Sequence, residues 1–500
     1  MRDFKAETQS RRARSTKPSE ELRIAVTFRR KQDDFGPTKF TAPLNAVSVR
    51  ALEPDPLAVA RGLDALAKHG FRVTTQGPLS ASVRGTRAQF EKAFGTQLTA
   101  HSLPAAQNAS QHSFYFPAPG APWSPDLAVA SLIDDAYIQW PHIYMAAPVV
   151  RANPPAIPFF HLQVPGEVSS MLNATAVHHA GTTGKGVRVA MLDSGFYHEH
   201  PYFTSRGYRS SQVLAPGANR RGKDKNGHGT GESANIFALA PDVDFVGVKL
   251  DNDDNPDLGA SVLEGLQEAL RHRPHVISVS LGYDLRELDA LGRPTLRQLA
   301  ELPNSLAALE AEIAAAVANG VVVVFSAGNG HYSFPGMHPD VISAGGAYLD
   351  ENAETRASDY ASAFPSKIYH GRNVPDFCGL VGLQPHADYI ALPIPPGSEI
   401  DVDNADHDGT APNDGWGVFS GTSAAAPQLA GVCALLLEKN PGLTPSDVKA
   451  VLLRAAVDVS AGSAHPSSDE QRGEGVRAGA GLDGATGGGL VDAFAAWQLV

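Results

Sequence analysis

Serine, histidine and aspartate side chains become reactive only in company, and four short stretches of this 500-residue sequence hold such residues at the ends of predicted strands and helices. Ser423 lies in Phe419-Ser420-Gly421-Thr422-Ser423-Ala424-Ala425-Ala426-Pro427, which runs directly into an apolar helical stretch, QLAGVCALLL. The start of a helix presents outward N–H groups and the positive end of the helix dipole. Both favour the negative charge that develops when a serine oxygen attacks a carbonyl. Small residues after Ser423 leave room for a substrate carbonyl. Pro427 reads as a first-turn residue, where no intrahelical N–H bond is lost. A bare Gly-Thr-Ser is also an ordinary helix cap; the nine-residue string before an apolar helix sets this one apart.

Three further residues complete a set. Asp193 ends the strand-like run Val187–Leu192 and precedes Ser194-Gly195, although Asp-Ser-Gly is equally a common turn. His228 sits in Asn226-Gly227-His228-Gly229-Thr230-Gly231, one of eighteen histidines but flanked by glycines that leave its ring unobstructed. The helical run ANIFALA follows it. Asn329 follows the strand-like 321–326 and a small-residue turn, where its amide can donate to an oxyanion together with the N–H of Ser423. Asn-Gly alone is simply a turn signal. Together these residue types suit acyl transfer: Ser423 as nucleophile, His228 as general base, Asp193 orienting the imidazole and Asn329 in the oxyanion hole.

Positioning them requires strand and helix ends that converge. Apolar, Val- and Ile-rich strands are expected at 187–192, 245–249, 276–280 and 321–326, and helices at 261–272, 306–318 and 422–437. That alternation predicts an α/β fold with a doubly wound, mainly parallel sheet, whose functional groups gather at the carboxyl ends of the strands. Ahead of it, strands at 22–28, 71–75, 80–84 and 97–101, with helices at 56–69 and 87–94, give a β-α-β-β-α-β order. A smaller α+β, ferredoxin-like unit is the expectation there. The domain reading is a disordered tail over 1–20, a first unit over 21–140, a proline-rich linker over 141–168 and the larger unit over 169–500.

Composition narrows the partners. Forty-one basic against fifty-three acidic residues leave a formal charge of −12, so neither a nucleic-acid groove nor an anionic membrane is expected. Hydrophobic residues at 43% suffice for a large core. Two cysteines, Cys378 and Cys433, read as buried hydrophobes rather than a disulfide framework. The basic N-terminus has no apolar stretch behind it and no run is long enough to span a bilayer. A soluble chain that starts in the cytoplasm, or is exported without a cleavable signal, is therefore expected.

With these motifs in hand, the chain resembles the subtilisin-like serine peptidases, which carry Asp-Ser/Thr-Gly, His-Gly-Thr, Ala-Gly-Asn and Gly-Thr-Ser-x-Ala-x-Pro in the order found at Asp193, His228, Asn329 and Ser423. The resemblance implies a protein or peptide substrate and a serine endopeptidase activity. It also implies a substrate-binding strand at Ser280-Leu281-Gly282. Residues 83–96, VRGTRAQFEKAFGT, resemble the activation domain of sedolisin-type peptidases, which implies a zymogen whose own prodomain inhibits it until it is cut off. Two alternatives follow: a sedolisin-type acid peptidase, against which Asn329 and the Asp193/His228 pair argue, and a non-catalytic peptide-binding pseudopeptidase. Subtilisins usually continue His-Val-Ala-Gly where this chain has Gly231-Glu232-Ser233-Ala234, and Glu232 is a candidate contact for a basic substrate residue. Tyr202 stands near where subtilisins place a calcium-ligating Asp. No cofactor or metal is therefore expected, and calcium is not supported by the usual site; the acidic strings at 251–254 and 401–408 read first as solvated loops.

Overall fold

The computed structural model describes residues 21–30, 44–46, 49, 52–102, 113–117, 121–140, 143–144, 159–288, 294–384, 387–408, 413–467 and 475–500. The expected tail over 1–20 lies outside them, as does most of the expected linker.

The first unit is an antiparallel sheet ordered Arg72–Gln76, Ser80–Thr86, Glu21–Phe28, Ile133–Ile138. Alternation sorts its side chains onto two faces. Leu22, Ile24, Val26, Ala81 and Val83 pack with Leu66, Phe90 and Phe94 of helices Pro56–Lys68 and Arg87–Phe94. Ala25 and Tyr137 instead join the core of the larger unit. The second helix starts at a capping box: Gln89 N–H donates to Thr86 Oγ1 at 3.2 Å and Thr86 N–H to Gln89 Oε1 at 2.6 Å. Gly95, at φ 63°, ends it. The strand expected at 97–101 forms as Leu98–Ser102, but it pairs with Ser113–Pro117 in a separate hairpin. Ile133–Ile138 takes its place as the fourth strand, paired antiparallel with Glu21–Phe28.

The larger unit is built on a sheet ordered Ser210–Leu214, Asp244–Lys249, Arg188–Asp193, Val276–Val279, Val322–Ser326, Ile342–Leu349, Thr355–Ala357, with Phe377–Leu380 also on Ile342–Leu349. Every pairing is parallel except the one to Thr355–Ala357. Both faces are covered, which is why the strands are apolar throughout. Val189, Met191, Val322 and Val324 face the core that holds helices His228–Leu239 and Thr422–Lys439. Ala190, Leu192, Val323 and Phe325 face the one that holds helices Val262–Arg271 and Ala307–Ala318. Residues up to 168 are not all linker: Leu162–Gln163 pairs in parallel with Ile390–Pro393, and a helix runs over Gly166–Met171. No helix among the described residues is long and apolar enough to cross a membrane.

The free face of the first sheet lies on helices Val262–Arg271 and Ala307–Ala318. Thr75 Oγ1 donates to Gln267 Oε1 at 2.5 Å, Ser80 Oγ to Glu312 Oε1 at 2.9 Å, and Arg84 Nη2 pairs with Glu264 Oε2 at 3.1 Å. A further strand, Ile143–Tyr144, pairs antiparallel with Leu281–Asp284: Tyr144 stands opposite Leu281 and Ile143 opposite Gly282.

Candidate active site

Asp193 is the last residue of a central strand and His228 the first of its helix, so both lie at the carboxyl edge of the sheet. The helix starts at His228 itself, with Gly229 and Gly231 inside it, where glycine is intrinsically unfavourable. Contact explains Gly229. A Cβ there would lie 2.3 Å from the Gly195 carbonyl oxygen and 2.8 Å from Asp193 Cβ. Its absence lets the helix start close on the aspartate.

His228 Nδ1 and Asp193 Oδ1 are 2.8 Å apart, and the two side chains are 1% and 0% exposed. A carboxylate on Nδ1 fixes the tautomer and leaves Nε2 to act as base. Burial by itself would lower the His228 pKa. The charge and hydrogen bond of Asp193, with smaller help from Glu232 and Asp224, outweigh it and raise the imidazole to about 9.

Sequence reasoning missed the group that locks these two segments together. Asp224 accepts from Ser194 Oγ and Gly227 N–H at 2.9 Å each, from Thr230 N–H at 2.9 Å and from Thr230 Oγ1 at 2.6 Å. Ser194 Oγ in turn accepts from Gly229 N–H at 3.0 Å. The Ser of Asp-Ser-Gly and the Thr of His-Gly-Thr thus serve one buried carboxylate. A lone Asp in a polar loop, Lys223-Asp224-Lys225, offers no signal of this.

Ser423 is the second residue of the helix Thr422–Lys439, which packs against the His228 helix. Its Oγ donates to the Ser280 carbonyl at 3.3 Å, and Ser280 Oγ donates to the Ser423 carbonyl at 2.8 Å. The second bond corrects the expectation for Pro427. That proline is the sixth helical residue, beyond the first turn, and removes the N–H that would bond the carbonyl four residues back, at Ser423. Ser280 supplies the replacement donor. Asn329 Oδ1 accepts from Thr422 N–H at 3.0 Å and Thr422 Oγ1 at 3.1 Å. Its amide therefore has its oxygen anchored at the start of the Ser423 helix, with Nδ2 as the donor end.

Glu232 does not face solvent. It is 1% exposed, with Oε1 4.0 Å from His228 Nε2, so it turns toward the imidazole. Of the acidic strings, Asp253 bonds Lys249 at 2.7 Å and Asp254 pairs with Arg220, while Asp401 accepts from Gly397 N–H at 2.6 Å. Among the described residues no group of three or more His, Cys, Asp or Glu side chains is placed to hold a metal ion. Cys378 and Cys433 are buried free thiols, each raised in pKa by burial.

A doubly wound parallel sheet thus carries an Asp–His pair at its carboxyl edge, a serine on an adjoining helix and an amide at that helix's start. The subtilase family (peptidase S8) matches residues 184–482, and the chain belongs to that family. It is 30% identical over 324 residues to serine protease AprX of Bacillus subtilis, covering 57% of this chain, and 26% identical over 298 residues to subtilisin E of the same species, covering 56%. The matches span 66% and 63% of those relatives' own lengths. Fervidolysin from Fervidobacterium pennivorans, a keratinolytic enzyme related to subtilisin, shares the fold at a TM-score of 0.55 and 17% identity. That alignment covers 96% of this chain, the N-terminal unit largely included, and 61% of fervidolysin.

Proposed function

We propose that this chain is a serine endopeptidase made as a zymogen, with Ser423 as nucleophile, His228 as base, Asp193 as its orienting carboxylate and Asn329 in the oxyanion hole. The observation that carries the reading is the buried 2.8 Å bond from Asp193 to His228, with Ser423 at the start of the helix that packs on the His228 helix. As Ser423 Oγ bonds to a peptide carbonyl carbon, its proton passes to His228 Nε2 and then to the departing amine. The negative charge on the former carbonyl oxygen is met by Asn329 Nδ2 and the Ser423 N–H. Ser280–Gly282 would pair with the substrate backbone as an added strand, as Leu281–Gly282 pairs with Ile143–Tyr144.

The same pairing supports the first unit as an intramolecular inhibitor, since its outgoing chain occupies the strand that a substrate would need. The likeness of residues 83–96 to a sedolisin-type activation domain supports the same role.

The test is hydrolysis of a peptide library from pH 4 to 9 by the processed chain, against Ser423→Ala. Hydrolysis should vanish in the variant. In the parent it should rise through neutral into alkaline pH, because His228 is a base only when neutral and its pKa is raised. An optimum near pH 4 would remove His228 from the mechanism. Failure of the processed parent to react with a fluorophosphonate would remove Ser423 as nucleophile. Asn329→Ala should lower kcat by about 10²–10³, the cost of losing the corresponding donor in subtilisin.

A further inference from the structure

Glu232 lies four residues after His228, on the same helix face. Both side chains are 1% exposed, and Glu232 Oε1 is 4.0 Å from His228 Nε2, the ring nitrogen opposite the Asp193 bond. Oε1 has no hydrogen-bond partner among the described residues. Oε2 accepts from Asn235 Nδ2 at 3.0 Å. Asn235 Oδ1 accepts from Gln428 Nε2 at 3.2 Å, and Gln428 Oε1 from Leu380 N–H at 2.6 Å, so the carboxyl is braced against the Ser423 helix. The charged or titratable groups acting on this pair are Asp193 from the central strand and Asp224 from the preceding loop. From the Ser423 helix, Gln428 offers a neutral amide. A buried carboxyl of this kind is costly unless it has a task or a cation, and the imidazole is the cation within reach.

We propose that Glu232 is a positioning residue for the general base: a second carboxyl group, on the Nε2 edge of His228, that sets the pH below which the imidazole stops accepting the Ser423 proton. The inference rests on the reading of His228 as base. At 4.0 Å Glu232 and His228 act on each other through charge, an ionised Glu232 favouring the imidazolium over the neutral ring. Only the neutral imidazole can act. Burial pushes the Glu232 carboxyl up, against the opposing pull of His228, to about 8, so the two groups titrate over neighbouring pH ranges. An ionised Glu232 also raises the His228 pKa, which moves the acidic limb of activity to higher pH.

The experiment compares pH profiles of kcat/KM for the parent, Glu232→Gln and Glu232→Asp. Gln keeps an acceptor for Asn235 and removes the charge. Its acidic limb should lie about 1 pH unit below the parent's, the order expected for removing a charge within a few ångströms. Asp restores the charge, so its limb should return toward the parent's. A uniform fall in kcat/KM at unchanged limb position would reduce Glu232 to a packing residue and overturn the proposal. A second measurement needs no turnover: NMR titration of the His228 ring in the full chain carrying Ser423→Ala, with and without Glu232→Gln, and with Glu232→Asp should the Gln variant not fold. The ring pKa should drop with Gln and hold with Asp. An unchanged ring pKa with Gln, or one that drops as far with Asp as removal of the charge would take it, overturns the proposal. If the parent hydrolyses nothing, the peptidase reading fails, while the ring titration still decides the coupling.

Discussion

Ser280 and Pro427 are 147 positions apart, yet they act on one atom. The proline deletes the N–H that a regular helix would send to the Ser423 carbonyl, and the Ser280 hydroxyl, at 2.8 Å, replaces it. Ser280→Ala should leave that buried carbonyl bare and cost about 1–3 kcal/mol. Pro427→Ala restores a backbone donor, so Ser280→Ala should cost much less in that background. Denaturant midpoints of the four chains, all carrying Ser423→Ala to prevent self-digestion, form the double-mutant cycle. Equal costs in both backgrounds would show that the two residues do not share the carbonyl. Gly229 makes a second case: with a Cβ 2.8 Å from Asp193 Cβ, Gly229→Ala should push the helix start off the aspartate. Hydrolysis should fall far more than stability, as kinetics and a melting curve would show. The candidate nucleophile, base and acid were legible because motif strings surround them. Ser280's hydroxyl, Asp224 and the burial of Glu232 were not, since each depends on a partner brought near only by the fold.

Helices Val262–Arg271 and Ala307–Ala318 were legible from apolar spacing, but their polar residues conceal an interface. Glu312 Oε1 accepts from Leu79 N–H at 3.3 Å and from Ser80 N–H and Oγ at 3.1 and 2.9 Å; Glu310 Oε1 accepts from Leu44 N–H at 3.2 Å and Tyr369 Oη at 2.8 Å. Burial raises both carboxyl groups to about 7 despite these bonds. Docked, they hold protons up to about pH 7, whereas exposed glutamates release theirs near pH 4.3. The docked form binds more protons between those values, so docking should weaken as pH rises through that window and be weakest above it. Hydrogen exchange in Ser80–Thr86, corrected for intrinsic rate and measured on Ser423→Ala, should be faster at pH 8 than at pH 6. Glu312→Gln, which stays neutral, should flatten the difference; an equally steep dependence in that variant would clear Glu312 of the effect. One strand assignment went astray nearby for a physical reason. Residues 97–101 do form a strand, but in a hairpin, while Ile133–Ile138 hides its strand character behind Asp134 and Asp135, which are only partly buried.

The two units are joined in two ways, and only one of them is covalent. The sheet face carrying Thr75, Ser80 and Arg84 is held on two helices by buried polar bonds, including Arg84 with Glu264, where both side chains are at most 2% exposed. Arg84→Ala would take the ion-pair partner from a buried carboxylate that keeps only its bonds from Ser261 and Thr74, and should cost about 1–3 kcal/mol. Cutting the chain would leave that contact intact, so a cleaved first unit should stay bound until it is itself degraded. If the chain is made as the zymogen proposed above, the place of the cut follows from strand register. Tyr144 stands opposite Leu281, the neighbour of Ser280, whose carbonyl accepts the Ser423 hydroxyl at 3.3 Å. The expected scissile bond is therefore Met145–Ala146, inside the proline-rich segment expected as linker. Mass spectrometry of the purified parent should find a mature chain beginning at Ala146, together with a separate fragment ending at Met145 that co-elutes with it. Ser423→Ala made in a peptidase-deficient host should remain a single chain of 500 residues. A mature terminus several residues away would break the link between register and cleavage, and normal processing of Ser423→Ala would place the cut in the hands of another enzyme.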